Sequence, residues 1–117
     1  MKNEALLQFV CDTLDDLKAR DVAVLDVASM TTMADYIIVA SGTSGRHVVS
    51  VSNKLVEAVK ESGTKPLGVE GREGSEWVLI DLADIIVHVM QPSVREFYKL
   101  EDFWSVRPPA TVDSPAT

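Results

Sequence analysis

A chain of 117 residues fits one domain, and with 46% hydrophobic and 25% charged residues it can bury a real core. Eleven basic against eighteen acidic residues give a net charge of −7, which argues against bare nucleic acid or an anionic membrane as the main partner, because phosphate binding rests on Lys and Arg. The same charge suits a basic protein surface, or serves only to keep the chain soluble. Cys11 is the sole cysteine, so an internal disulfide or a Cys-based zinc site is impossible. The N-terminus lacks the apolar stretch of a signal peptide, and no apolar run approaches the roughly 20 residues of a membrane span, so cytoplasmic residence is expected.

Residues 4–19 are predicted to form an amphipathic helix, with Leu6, Leu7, Val10, Leu14 and Leu17 at three- and four-residue spacing. Cys11 beside that stripe reads as a small core residue, since no neighbour would lower its pKa. Residues 22–27 follow as a short strand, and 29–34 as a polar, methionine-containing loop. Residues 35–40 form a second strand, whose unbroken apolar run predicts burial on both faces under helices. Ser41 to Gly45 is a turn, and a helix begins near Ser44 with Val48, Val51, Leu55 and Val59 as its buried stripe. Ser62-Gly63 ends it, the glycine supplying a left-handed residue.

Residues 66–69 read as a short strand, followed by the polar, glycine-bearing connection 70–75. Glu76 to Leu82 and Ile85 to Met90 read as an antiparallel hairpin across Ala83-Asp84. Pro92 fits the first turn of a last helix, and Ser93-Val94-Arg95-Glu96 matches a capping box. That helix would carry Val94, Phe97, Tyr98, Leu100 and Trp104. The domain is expected to span residues 1–106. The tail 107–117, with three prolines and no aromatic residue, reads as disordered. Together the elements predict an α/β fold, a mixed β-sheet of about five strands flanked by helices.

Gly42-Thr43-Ser44-Gly45 lies where backbone amides could hold an anion, with Arg46 and His47 nearby, but it lacks the P-loop pattern, and a plain strand-to-helix turn is favoured. His88, inside an apolar strand, has no companion ligands at metal spacing and reads as a partner contact or a hydrogen-bonded structural residue. Asp81 and Asp84 bracket a turn, where aspartate is common for backbone reasons, and this outweighs a shared metal. Alternation places Trp77, Leu79 and Asp81 on one face of their strand and separates Ile86, His88 and Met90 from their neighbours. Large aromatics beside ionisable groups either anchor a partner or pack with Phe97 in the core; the pattern leaves both open.

Leu67-Gly-Val-Glu-Gly71, the run Trp77-Val-Leu-Ile-Asp-Leu-Ala-Asp-Ile-Ile-Val-His-Val-Met90 and Arg95-Glu-Phe-Tyr-Lys-Leu-Glu-Asp-Phe-Trp104 resemble the ribosomal silencing factor family, RsfS, also called iojap. Ala34-Asp-Tyr-Ile-Ile-Val-Ala-Ser-Gly-Thr-Ser-Gly-Arg-His47 is similar to that family's strand–turn–helix block, and the resemblance covers about residues 4–105. It implies binding to ribosomal protein L-fourteen on the intersubunit face of the large ribosomal subunit, where the bound factor obstructs the small subunit and lowers translation when nutrients are scarce. Organellar relatives are tied to large-subunit assembly, and free members often form homodimers.

The resemblance also implies a nucleotidyltransferase-like architecture. Those enzymes follow a Gly-Ser motif with paired acidic metal ligands. Here Ser41-Gly42 leads to Val51-Ser52-Asn53, so no catalytic residue, metal or cofactor is expected. By the same resemblance the docking surface draws on Trp77, Asp81, His88, Arg95, Tyr98, Lys99, Leu100, Glu101 and Trp104. Trp77 and Tyr98 are its apolar anchors, and Asp81 and Glu101 meet basic side chains. The alternatives are an assembly factor on the same subunit, or a nucleotide-handling enzyme built on the Gly42–Gly45 turn with Asp81 and Asp84.

Overall fold

The computed structural model describes residues 3–99. In chain order these form α1 (Asn3–Asp16), β1 (Arg20–Asp26), β2 (Tyr36–Ser41), α2 (Gly45–Glu61), β3 (Gly68–Glu70), β4 (Trp77–Asp81), β5 (Ile85–Met90) and α3 (Pro92–Tyr98). The strands make one mixed sheet in the order β1-β2-β5-β4-β3. β2 and β5 run parallel at its centre, and the other neighbours are antiparallel. The fold is therefore α/β, as the pattern of hairpins and crossovers predicts. No helix among the described residues is long and apolar enough to cross a membrane.

α1 and α2 cover one face of the sheet. Leu6, Val10 and Leu14 recur every fourth residue on α1 and are buried. Val48, Val51, Leu55 and Val59 form the facing stripe of α2. Both stripes press on Ile38, Ala40, Val78, Ile80, Val87 and Val89 to form the main core.

α2 is well bounded. The Ser44 hydroxyl caps it by accepting the His47 N–H, and Gly63 follows it at φ +101°. Gly42 lets the chain turn tightly into α2, because a Cβ there would meet Val48 Cγ2 at 2.7 Å.

The opposite face carries a smaller cluster of Val27, Ala34, Ile37, Val39 and Met90, with Leu25, Trp77, Ile86 and Val94 against it. β2 is thus buried on both faces, as its apolar run predicts, but the expected cover of helices is found on one side only. On the other side residues of the loop between β1 and β2, the neighbouring strands and the edge of the short α3 do the covering.

Local boundaries differ from expectation for identifiable reasons. α1 stops at Asp16, before the expected residue 19, because Lys18 adopts the left-handed conformation at φ +66° and the Ala19 N–H turns back to the Leu14 carbonyl. Leu17 nonetheless packs against the core. The capping box at Ser93 does not form. Gln91 is the N-cap without a side-chain bond, and Ser93 already lies inside the helix behind Pro92, whose missing N–H leaves one donor fewer to satisfy. Lys99 ends α3 at φ +50°. Leu100, Glu101 and Trp104 lie outside the described residues, as does the tail expected from residue 107.

A candidate docking face

Direct cross-strand neighbours share a face. The register therefore builds the less covered side of the sheet from three rows: Ser41–Met90–Trp77, Val39–His88–Leu79 and Ile37–Ile86–Asp81. Trp77 and His88 are diagonal neighbours on this surface. The indole Nε1–H of Trp77 donates to His88 Nδ1 at 2.9 Å, with ring centroids 5.8 Å apart. An acceptor at Nδ1 places the imidazole proton on Nε2. Only 8% of His88 is exposed, and burial lowers its pKa to about 4, so the ring is neutral near pH 7. Of the two roles the sequence left open, the hydrogen-bonded structural one describes its position; little of its surface is left for direct contact.

α3 lies across the end of this face with no fully buried residue. Val94 reaches the smaller core cluster, and Arg95 Nη1 donates to the buried Ser41 hydroxyl at 2.9 Å. Gln91 Nε2 ties the start of the helix to the Ser75 carbonyl at 3.0 Å. At the other end Tyr98 rests on Trp77, centroids 4.9 Å apart and planes tilted by 50°. Phe97 meets Tyr98 edge-on at 5.0 Å. Phe97 is 78% exposed and Tyr98 53%, so the two rings form an apolar ridge held up from below by the half-buried Trp77. This resolves the earlier alternative: Trp77 belongs partly to the core, whereas Tyr98 and Phe97 do not.

Of the other expected docking residues, Asp81 lies apart from the ridge and Lys99 directly follows Tyr98. Asp81 sits four residues along β4 from Trp77, about 13 Å at strand rise. Its carboxylate accepts the Ala83 N–H at 2.9 Å, shaping the β4–β5 turn in which Ala83 takes φ +76°. Lys99 forms an exposed pair with Glu96 at 3.6 Å, the kind of contact that adds little stability.

Phe97 is the functional candidate that pattern reading missed as a contact. The signal was the adjacent Phe-Tyr pair, since consecutive helical residues point about 100° apart and a short helix cannot bury both.

The remaining candidates resolve into structure. His47 clasps the turn before α2: its Nδ1 accepts the Thr43 N–H at 2.9 Å, and its Nε2 donates to the Leu17 carbonyl at 3.0 Å. The Thr43 amide is thereby occupied by the protein itself, which favours the plain turn over an anion cradle. Cys11 packs partly against the main core, and burial, then Asp12, raises its thiol pKa. Glu4, Asp26 and Asp35 surround Tyr36 in an open groove near the start of β2, yet no group of described residues could hold a metal ion.

A family model described as "Ribosomal silencing factor during starvation" matches residues 1–117. The chain belongs to the ribosomal silencing factor family. A protein of Chromobacterium violaceum named ribosomal silencing factor RsfS is 36% identical over 94% of this chain and 90% of its own. The RsfS of Zymomonas mobilis is 41% identical over 86% and 76% respectively. More distant relatives include a mouse protein named for mitochondrial assembly of the ribosomal large subunit, 33% identical over 76% of this chain and 40% of its own, and chloroplastic Iojap of Zea mays, 28% identical over 76% and 39%.

Solved structures agree with the fold. A Chromobacterium violaceum crystal structure superposes with a TM-score of 0.88 at 36% identity, covering 94% of this chain and 92% of that one. A Bacillus halodurans structure gives 0.79 at 34%, covering 87% and 95%. Silencing factors are named for regulation rather than catalysis, and membership ties this chain to ribosomes.

Proposed function

We propose that this chain binds the large ribosomal subunit through ribosomal protein L-fourteen and, once bound, keeps the small subunit from joining, so that translation falls under nutrient limitation. It acts in the cytoplasm by occupying space and converts no substrate. The observation that carries this reading is the Phe97–Tyr98 ridge, two adjacent aromatic rings that stand exposed and are braced from beneath by Trp77. Aromatic anchors of this kind contribute disproportionately to protein interfaces. The net charge of −7 favours approach to a basic protein surface.

Sedimentation of separated subunits with added protein tests the proposal. The protein should travel with large subunits alone and prevent reassociation. Trp77→Ala and Tyr98→Ala should each weaken attachment about tenfold or more, a loss on the scale of an interface anchor. Unhindered reassociation at saturating protein defeats the blocking mechanism, and full affinity in both variants defeats the anchor assignment.

A role in large-subunit assembly is the second reading, favoured by the name of the mouse relative. It predicts immature large subunits in a deletion strain during rich growth.

A further inference from the structure

A docking ridge on a seven-residue helix raises a physical difficulty. So short a helix has no stability of its own, and α3 buries no residue completely. Its first turn is tied to the sheet by Val94, Gln91 and Arg95. The ridge, however, stands at the last turn, where Tyr98 leans on Trp77. The position of the ridge therefore depends on how firmly the Trp77 ring is held.

The indole has one N–H donor, and a donor turned into a protein wants an acceptor. His88 supplies it. The parallel pairing of β5 with β2 puts His88 beside Val39, and the antiparallel pairing with β4 puts it beside Leu79, so the imidazole stands between two fixed strands. Burial keeps it neutral, and only the neutral ring retains an acceptor nitrogen.

We infer that His88 is a positioning residue for the docking ridge: by accepting the Trp77 indole proton at Nδ1 it fixes the ring on which Tyr98 is seated. The chain His88–Trp77–Tyr98 then presets the ridge in the free protein, and less ordering is required when a partner arrives. The part of this inference that concerns binding rests on the proposed attachment to the large subunit; the part that concerns ring placement stands on the free protein.

Nitrogen-15 spectra of the free, full-length protein separate the two. Loss of a signal in Trp77→Phe assigns its indole N–H against that of Trp104. In the unaltered protein this proton should exchange slowly with solvent. His88→Phe keeps a ring but removes the acceptor, and should speed exchange at least tenfold and shift the signal. His88→Asn places a side-chain carbonyl where Nδ1 stood and should restore both. Large-subunit binding should fall severalfold in His88→Phe, recover in His88→Asn, and show no further loss when His88→Phe is added to Trp77→Phe.

An indole signal indifferent to His88→Phe overturns the positioning role whatever the ribosome does. A changed signal with unchanged binding overturns the presetting of the ridge. If the unaltered protein fails to sediment with large subunits while the indole responds as expected, the proposed function falls and the ring placement stands. Should circular dichroism show His88→Phe unfolded, the comparison moves to His88→Asn: exchange as fast as that of an exposed indole in that folded variant rejects the inference, and slow exchange supports it.

Discussion

The two faces of the sheet are built on different principles. Beneath α1 and α2 the buried side chains of the cluster are aliphatic, and they hold by area and close packing. On the other face a smaller apolar cluster is supplemented by directional ties: Trp77 to His88, Arg95 to Ser41, Gln91 to Ser75. Aliphatic packing tolerates small shifts, whereas a hydrogen bond loses its value over a few tenths of an ångström. The contrast teaches where stability and placement reside: the first face makes the domain fold, and the second sets the position of a few exposed rings.

Substitutions can break or sharpen that contrast. Leu55→Ala on the helix-covered face should cost about 2–5 kcal/mol in urea unfolding. Its binding to large subunits should stay unchanged once measured where the variant is folded. A parallel loss of affinity would show that the faces are not separable.

Acid should act through the other face. The folded pKa of His88 is about 4 against 6.5 for the ordinary ring. The unfolded chain therefore takes the proton first, and stability from this residue is full above about pH 6.5 and declines towards pH 4. The whole decline is about 3 kcal/mol. Urea midpoints at about pH 7 and pH 4.5 should diverge more in the unaltered protein than in His88→Phe. Equal slopes would mean that the imidazole does not report on this face.

The smallest effect is expected from Ser41→Ala, which removes one acceptor from Arg95 and should cost about 1 kcal/mol. A loss several times larger would make that tie the main fastening of α3.

Local features of this fold were legible in the sequence wherever cause and effect lie close in the chain. Leu6, Val10 and Leu14 announce α1, Gly63 ends α2, and the two apolar runs around Ala83-Asp84 announce their hairpin. Alternation correctly put Trp77 and His88 on related faces. It could not say which strands would be neighbours, because period-2 patterning chooses a face and leaves the partner open. Hence the insertion of β5 between β2 and β4 emerged only from the structure. The pattern favours a plain turn at Gly42–Gly45 but cannot show what holds it, because one partner of His47, the Leu17 carbonyl, is 30 residues away. The capping box at Ser93 was a genuine motif out of register with the helix start that Pro92 imposes. Of the docking residues, the family resemblance supplied the set. The geometry groups Trp77, His88 and Tyr98, places Arg95 nearby on Ser41, and leaves Asp81 to its turn.

The place of β5 in the sheet has a consequence for how the chain comes into being. It is the last of the described strands to be synthesised, yet it lies in the middle and joins β2 to β4. Until Ile85 to Met90 emerges, β1–β2 and β3–β4 are separate ribbons with bare inner edges, and two-stranded ribbons are marginal in water. A nascent or truncated chain lacking this segment thus has no continuous sheet, and its two ribbons share only the helices packed on them. The sheet itself becomes continuous late in synthesis, when one strand closes the gap between them.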